Sequence, residues 1–185
     1  MMELSSEALV WMDLEMTGLD PKKDRILEVA VLVTDPHLKV MGSGLEIVIY
    51  QSEETLQAMG EWCQKTHGES GLTDRVRKST WTEKTAEVAI LEFLKGKVPE
   101  KTAPLCGNSI WQDRRFLCEY FPSIDQFLHY RCLDVSTIKE LAKRWSPGLV
   151  ESFHKKSAHT ALSDIEESIQ ELAFYREKGF IGHRK

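Results

Sequence analysis

The chain has 185 residues, with 24 Lys and Arg against 29 Asp and Glu and a formal net charge of −5. Its 42% hydrophobic and 29% charged residues are globular values that exclude wholesale disorder. An acidic balance argues against binding of long nucleic acid through a broad basic surface, but not against a short nucleic acid in a local site. We therefore predict a single domain over residues 1–185 and no long duplex nucleic acid as a partner.

The cysteines and the N-terminus indicate the compartment. Four cysteines, at positions 63, 106, 118 and 132, form no CxxC pair and no zinc-ribbon spacing, and a disulfide framework is not expected in a chain of this size. The N-terminus has no basic region before its short apolar run, and no stretch approaches the roughly 18 apolar residues of a membrane helix. These features predict a cytoplasmic location without membrane attachment.

The first half of the chain begins with strand patterns and then changes to helical spacing. Three successive strands are predicted at 8–14, 26–34 and 44–50. A short helix at 52–59 and an irregular stretch at 61–72 follow. Thr80 and Glu83 have the spacing of a capping box, which predicts a helix that ends near Lys95.

In the second half, short strands alternate with helices. Strands are predicted at 104–108 and 132–135, helices at 110–120, 137–145 and about 158–178, and a loop at 146–157. The last helix is the clearest element, because Leu162, Ile165, Ile169 and Leu172 form one apolar stripe. Strands first, and then strands alternating with helices, predict an α/β fold in which helices flank a mixed sheet of five strands.

Two acids, Asp13 and Glu15, stand in VWMDLEMTG at the end of the first predicted strand. Residues i and i+2 of a strand share a face, so both carboxylates project side by side from a segment otherwise bound for the core. Like charges near a core are costly unless a proton or a metal neutralises them. The alternative is a strand whose exposed face is acidic, which the apolar residues just upstream disfavour.

Three further residues with suitable chemistry are Asp113, His159 and Asp164. Asp113 follows the strand that ends at Asn108, and ligands gather at the carboxyl ends of strands in α/β sheets. Taken alone, Asp113 is better interpreted as an ordinary first-turn helix acid, and the alternative for His159 is a surface histidine near a helix start. Asp164 lies at the edge of the buried stripe of the last helix, and His159 at the mouth of that helix or in the loop before it.

Together, four acids and one histidine indicate metal-dependent hydrolysis. Oxygen-only ligands favour Mg²⁺ or Mn²⁺ over zinc. Four carboxylates around two divalent cations form an arrangement for in-line phosphodiester cleavage, in which one ion activates water and the other neutralises the leaving 3′ oxygen. A histidine with a pKa of about 6.5 accepts the proton of the water near neutral pH. We therefore predict two divalent cations, Mg²⁺ or Mn²⁺, as cofactors.

The ordered patterns D-x-E, N-x4-D and H-x4-D closely resemble the three motifs of the DEDDh 3′-to-5′ exonucleases, which have a ribonuclease H-like fold. The resemblance covers nearly the whole chain. Its segments are WMDLEMTGLDP (11–21), ILEVAVLVTD (26–35), GNSIWQDRRFL (107–117), YRCLDVSTIKELAKRW (130–145) and HTALSDIEESIQELAFYRE (159–177). The D-x-E pattern alone is weak, whereas the ordered set together with DVSTIKELA is highly specific.

This resemblance implies a role for each matching residue. The metal ligands would be Asp13, Glu15, Asp113 and Asp164, with His159 as general base. The substrate residues would be Leu19 as an apolar wedge between bases, Trp62 and His67 at the cleft, and Ser109, Arg131 and Ser136 near the 5′ phosphate. The family forms homodimers, and Tyr130 would reach into the active site of a second protomer.

The side chains at these positions are chemically suited to bind phosphates and bases, but three of them also have a purely structural interpretation. Arg131 offers a fork that binds a terminal phosphate through two hydrogen bonds, and serine hydroxyls near a helix N-terminus donate to anions. Aromatic and aliphatic side chains stack on or wedge between bases. Alternatively, Trp62 is a core residue, Ser136 is only a helix cap, and Tyr130 is an ordinary strand residue.

The sequence thus predicts a metal-dependent 3′-to-5′ exoribonuclease that releases 5′-mononucleotides from very short RNA, especially dinucleotides. Two alternatives remain open at this stage. One is an exonuclease that trims or proofreads longer strands, which would share the acids and differ in the substrate positions. The other is a catalytically silent module that binds dinucleotides, which the complete set of acids and histidine disfavours.

Overall fold

A computed structural model describes residues 5–153 and 160–181. In this part of the chain, five strands form one sheet in the order β3-β2-β1-β4-β5. They are β1 (Leu9–Met16), β2 (Ile26–Thr34), β3 (Leu45–Val48), β4 (Leu105–Gly107) and β5 (Cys132–Asp134). The first three strands pair antiparallel, whereas β4 runs parallel to β1 and β5 parallel to β4. The predicted α/β fold with a mixed five-stranded sheet is confirmed.

The helices of the described residues are α1 (Glu53–Gln57), α2 (Glu61–Glu69), α3 (Leu72–Lys78), α4 (Glu83–Lys95), α5 (Ile110–Tyr120), α6 (Pro122–Phe127), α7 (Val135–Trp145), α8 (Pro147–Glu151) and α9 (Ala161–Glu177). The five predicted helices are present among them, whereas α2, α3, α6 and α8 were not predicted as helices. The irregular stretch predicted at 61–72 is wrong, because α2 occupies most of it. The loop predicted at 146–157 contains α8. The capping box of α4 joins Thr82 and Thr85 instead of Thr80 and Glu83.

The two sides of β1 enter different cores, because successive side chains point to opposite faces of the sheet. Val10, Met12 and Leu14 pack in a core with α4, α5 and α6. Trp11 packs on the other face with α7 and α9, where its Nε1 donates to Thr34 Oγ1 at 3.0 Å. A third, smaller core joins α1 and α3 to Leu27 of β2. Asp13 and Glu15 continue the Trp11 side of β1 and therefore point away from the first core.

Within the described residues, no helix combines the length and the apolar character that a bilayer-spanning segment needs.

Candidate active site

Three carboxylates converge on one face of the sheet. Asp13 and Glu15 come from β1 and Asp164 from the first turn of α9, and each offers an oxygen within 4.8 Å of the others. Thr160 fixes the start of α9, because its side chain accepts from the Ser163 N–H in a capping box. Among residues 5–153 and 160–181, this is the one group of three or more acidic, histidine or cysteine side chains placed to hold a metal ion.

Asp113 lies next to this group, outside the set of oxygens that fall within 4.8 Å of one another. It is buried in the first turn of α5, and its Oδ1 accepts a hydrogen bond of 3.0 Å from the Leu14 N–H. That bond ties α5 to β1, one residue after Asp13. The charge of Asp113 nevertheless raises the pKa of Asp13, so the fourth predicted acid acts on the site electrostatically.

Burial and mutual repulsion disfavour the ionised forms of these acids. Burial is the main reason that the pKa of Asp13 lies well above its usual range, and the charges of Asp113, Glu15 and Asp164 add to it. Burial, followed by the charge of Asp164, raises the pKa of Glu15 to about 7. The pKa of Asp113 is also raised by burial to about 7, although the Leu14 N–H opposes the shift. A divalent cation relieves this repulsion, and carboxylate oxygens are the ligands that Mg²⁺ and Mn²⁺ prefer, so these residues fit such an ion.

Without a divalent cation, the protein is expected to lose stability as the pH rises from about 4 to about 7. The pKa values of Glu15 and Asp113 are about 7 in the folded state, against ordinary values of 4.5 and 3.8. Between these values the folded state binds more protons than the unfolded state, so the free energy of unfolding falls as the pH rises.

Thermal melting in EDTA and in Mn²⁺ at a series of pH values measures this effect. The gain in melting temperature from Mn²⁺ should grow with pH, because the cation offsets charge that is present only after deprotonation. Burial lowers the pKa of His67, so this residue also makes the stability depend on pH. It does so in EDTA and in Mn²⁺ alike, and its effect cancels in the difference between the two melting temperatures. A gain that does not change with pH would contradict the proposed origin of the instability.

Beside the acids lies a cleft of about 570 Å³ with Leu19, Trp62 and His67 in its walls. An adjoining cleft of about 590 Å³ connects Trp62 and His67 with Glu15 and Asp164. Trp62 is 73% exposed and Leu19 is 71% exposed, so the alternative that Trp62 is a core residue is wrong. His67 is buried, with its Nε2–H donating to the Met16 carbonyl at 3.0 Å and its Nδ1 3.9 Å from a Glu15 oxygen.

The Ser109 and Ser136 hydroxyls lie side by side, 3.2 Å apart, where β4 and β5 end. Asp134 organises this pair, because its Oδ1 accepts from the N–H groups of both serines at 2.9 Å. Ser109 itself adopts the left-handed conformation, with φ of 52°. The alternative that Ser136 caps α7 is wrong. Asp134 caps this helix, and the Ser136 Oγ accepts instead from the Ser109 N–H at 2.9 Å.

Tyr130 and Arg131 lie in the turn before β5. Tyr130 is 72% exposed and lies outside the strand, which excludes its interpretation as an ordinary strand residue. Its ring stacks on His129 with centroids 4.5 Å apart, and the Arg131 guanidinium lies 5.3 Å from the Tyr130 centroid. Arg114 holds the turn by donating to the carbonyls of His129 and Tyr130 at 3.0 Å each. The backbone is thus fixed, while the side chains of Tyr130 and Arg131 are exposed.

Sequence reasoning missed several residues that shape this site. Asp134 was not singled out, although it organises the serine pair. Gln112 supports Leu19, the residue predicted to wedge between bases, because its Nε2 donates to the Leu19 carbonyl at 2.7 Å. Glu28 is a single acid in an otherwise uncharged strand, and that contrast is a signal that could have been used. His159, the predicted general base, lies outside the described residues.

Known proteins share both the sequence and the fold of this chain. The exonuclease family model RNase_T matches residues 10–172. An oligoribonuclease of Haemophilus influenzae (strain PittGG) is 53% identical over 176 residues, which are 95% of this chain and 97% of the relative. An oligoribonuclease of Escherichia coli (strain K12) is 52% identical with the same coverage of 95% and 97%.

Among solved structures, the zinc-bound complex of E. coli exonuclease I with single-stranded DNA has a TM-score of 0.71 at 16% identity. The match covers 95% of this chain, which spans only 41% of that structure, and it shows the shared fold alone. The relatives that share more than half of their residues with this chain, over nearly its whole length, define its group. The chain therefore belongs to the exonuclease family and, within it, to the oligoribonucleases.

Proposed function

We propose that the chain removes 5′-mononucleotides one at a time from the 3′ end of very short RNA, dinucleotides above all, by two-metal-ion hydrolysis. Family membership itself makes the chain a nuclease, and the name of its relatives supports short RNA as the substrate. The observation that carries the proposal is the convergence of Asp13, Glu15 and Asp164 within 4.8 Å, beside a cleft lined by exposed Trp62 and Leu19. A single domain over residues 1–185 would perform the reaction.

Asp13, Glu15, Asp113 and Asp164 would hold two Mg²⁺ or Mn²⁺ ions. When bound, the cations lower the pKa of water and stabilise the charge on the leaving 3′ oxygen. His159 would accept the proton of the attacking water, since an imidazole titrates near neutral pH. This role is supported by its position in the chain, directly before the Thr160 cap of the helix that carries Asp164.

The cleft would hold the two nucleotides through their bases. An exposed indole at Trp62 offers a face for stacking, and exposed Leu19 can wedge between neighbouring bases. Both positions are held by their surroundings: Gln112 holds the Leu19 carbonyl, and His67 ties α2 to the Met16 carbonyl. Rigid support of this kind reduces the entropy that substrate binding costs.

The 5′ phosphate would be bound by Ser109, Ser136 and Arg131. The two hydroxyls already lie 3.2 Å apart next to the first turn of α7, a location that favours anions. Tyr130 would reach this end of the cleft from a second copy of the chain in a homodimer, which its exposure and fixed backbone support. The four free cysteines are in keeping with a cytoplasmic location.

A substrate length series tests the proposal. Because bound phosphate would close one end of the cleft, 5′-phosphorylated RNA of two nucleotides should be cleaved fastest and RNA of seven nucleotides slowest, in Mg²⁺ or Mn²⁺. Turnover (kcat/KM) for each length is the measurement, with the same RNAs lacking the 5′ phosphate as controls. Equal or faster cleavage of the longer RNAs would favour an enzyme that trims long strands, and binding without turnover would favour a silent binding module.

A further inference from the structure

One buried acid near the site has no part in the mechanism above. Glu28 lies in β2, where all nine residues are buried, and it is the only charged residue of that strand. Its side chain is 1% exposed. A carboxylate in such a place costs stability unless its charge and both of its oxygens find partners. A buried carboxylate at this place in the sheet therefore needs a physical explanation.

The strand register puts Glu28 beside a proposed metal ligand. In the antiparallel pairing of β1 with β2, Glu28 is the direct partner of Glu15. Directly opposed residues project to the same face of the sheet, with their Cβ atoms about 5 Å apart. A bulge follows at once, between Glu15 and Met16, and such irregularities often re-aim side chains next to active sites. Glu28 thus starts on the same side of the sheet as the acidic group.

Only one of the two carboxylate oxygens of Glu28 has a partner in the described part of the chain. Oε1 accepts a hydrogen bond of 2.6 Å from Arg75 Nη1. The same nitrogen lies 3.0 Å from Oε1 of Glu46 on β3, so Arg75 is shared between two acids. Glu28 Oε2 is buried and has no hydrogen-bond partner among the described residues. An oxygen in this state lacks a donor that a bound, hydrated ion could supply.

The charge of Glu28 also reaches the proposed ligands. It is among the causes that raise the pKa of Asp13 and of Glu15, whereas Glu46 is not among the leading causes for either group. Burial raises the pKa of Glu28 itself, the hydrogen bond and charge of Arg75 oppose that shift, and the neighbouring Glu46 carboxyl adds to it. Glu28 and Glu46 share Arg75, but only Glu28 is among the leading causes of the raised pKa values of Asp13 and Glu15.

We propose that Glu28 is a positioning residue of the metal site, which presents its unpartnered Oε2 to the hydration shell of a divalent cation held by Asp13, Glu15 and Asp164. Groups outside the ligand set commonly orient ligands and strengthen binding in this way. Arg75 holds the Glu28 carboxylate in place through Oε1 and leaves Oε2 available. This inference rests on the proposed function, since it needs a cation at those three acids.

Calorimetric titration of the full-length protein with Mn²⁺ tests the inference without relying on activity. Glu28→Gln keeps the shape of the side chain and an acceptor for Arg75, and it should weaken Mn²⁺ binding about 10- to 100-fold. Glu46→Gln is the matched control, because it removes the other acid on the same arginine, and its affinity should stay within about twofold of the parent. A role confined to the fold would lower the melting temperature in EDTA for either variant and leave the Mn²⁺ affinities equal.

A double variant, Glu28→Met with Arg75→Met, covers the case in which Glu28→Gln fails to fold. Replacing a buried ion pair by apolar residues of similar size is commonly tolerated, and this variant should show the same loss of Mn²⁺ affinity. An affinity equal to that of the parent in the folded variant would overturn the inference, as would an equal loss in Glu46→Gln. If the parent neither binds Mn²⁺ nor cleaves a diribonucleotide, the proposed function itself fails.

Discussion

Asp13→Asn is expected to lower metal-dependent hydrolysis of a diribonucleotide by about 10³-fold or more, since metal ions stabilise the transition state by several kcal/mol. Burial and the charges of all three other proposed ligands raise the pKa of Asp13. The Asp13 carboxylate belongs to the acidic group with Glu15 and Asp164, and the nearby charge of Asp113 also acts on it. An amide keeps the shape of the side chain but offers a neutral and weaker ligand. Initial rates at a series of Mg²⁺ concentrations, compared with those of the parent, measure the loss.

The fold should survive this change. Removing one of several like charges relieves repulsion, so in EDTA at about pH 8 the melting temperature of Asp13→Asn should equal or exceed that of the parent. Asp164→Asn should behave in the same way. Glu166→Gln, a change of an exposed residue on the same helix α9, is the matched control and should retain full activity. Full activity in Asp13→Asn, or loss of activity caused by unfolding, would contradict the assignment of these acids as ligands.

His159→Ala is expected to lower the rate by roughly 10²- to 10⁴-fold, the usual contribution of a general base. The parent should lose kcat/KM as the pH falls through the pKa of the histidine, and the variant should lack that decline. The measurement is the pH–rate profile at saturating Mg²⁺ for both proteins. A profile that keeps the same shape in the variant would argue against proton transfer by this side chain.

Metal binding separates a base from a ligand in the same variant. Because no metal contact is proposed for His159, Mn²⁺ affinity in His159→Ala should stay within about twofold of the parent, in contrast to the loss expected for a ligand. His37→Ala removes an exposed histidine and is the matched control for both measurements. Loss of Mn²⁺ binding in His159→Ala would move this residue into the ligand set.

Local sequence was sufficient where an element is specified by its own residues. The bounds predicted for β2 at 26–34 and for α5 at 110–120 agree with the structure, because the first is an apolar run interrupted only by Glu28 before it ends at Thr34, and the second ends before Pro122. The apolar stripe of α9 was equally clear, with Ile165, Ile169 and Leu172 buried. In these segments, hydrophobic period and turn chemistry favour the same answer.

Local sequence was insufficient where a helix is polar. The segment predicted as irregular forms α2, whose single buried residue is His67, so no apolar period marks it. Its place is set by contacts distant in sequence, such as the His67 bond to the Met16 carbonyl. The same is true of Asp134. Its carboxylate joins two serines only because β4 and β5 are neighbours in the sheet.

The sequence by itself determined the family, the order of the acids, and the fact that Asp13 and Glu15 share one face of a strand, since that follows from the two-residue period of β structure. Only the tertiary structure decided how the other acids are arranged. It brings Asp164 within 4.8 Å of the first two, gives Asp113 to the Leu14 N–H, and sets Glu28 opposite Glu15. The physical reason is that strand register and the docking of α5 and α9 depend on how distant side chains pack, which no local pattern encodes.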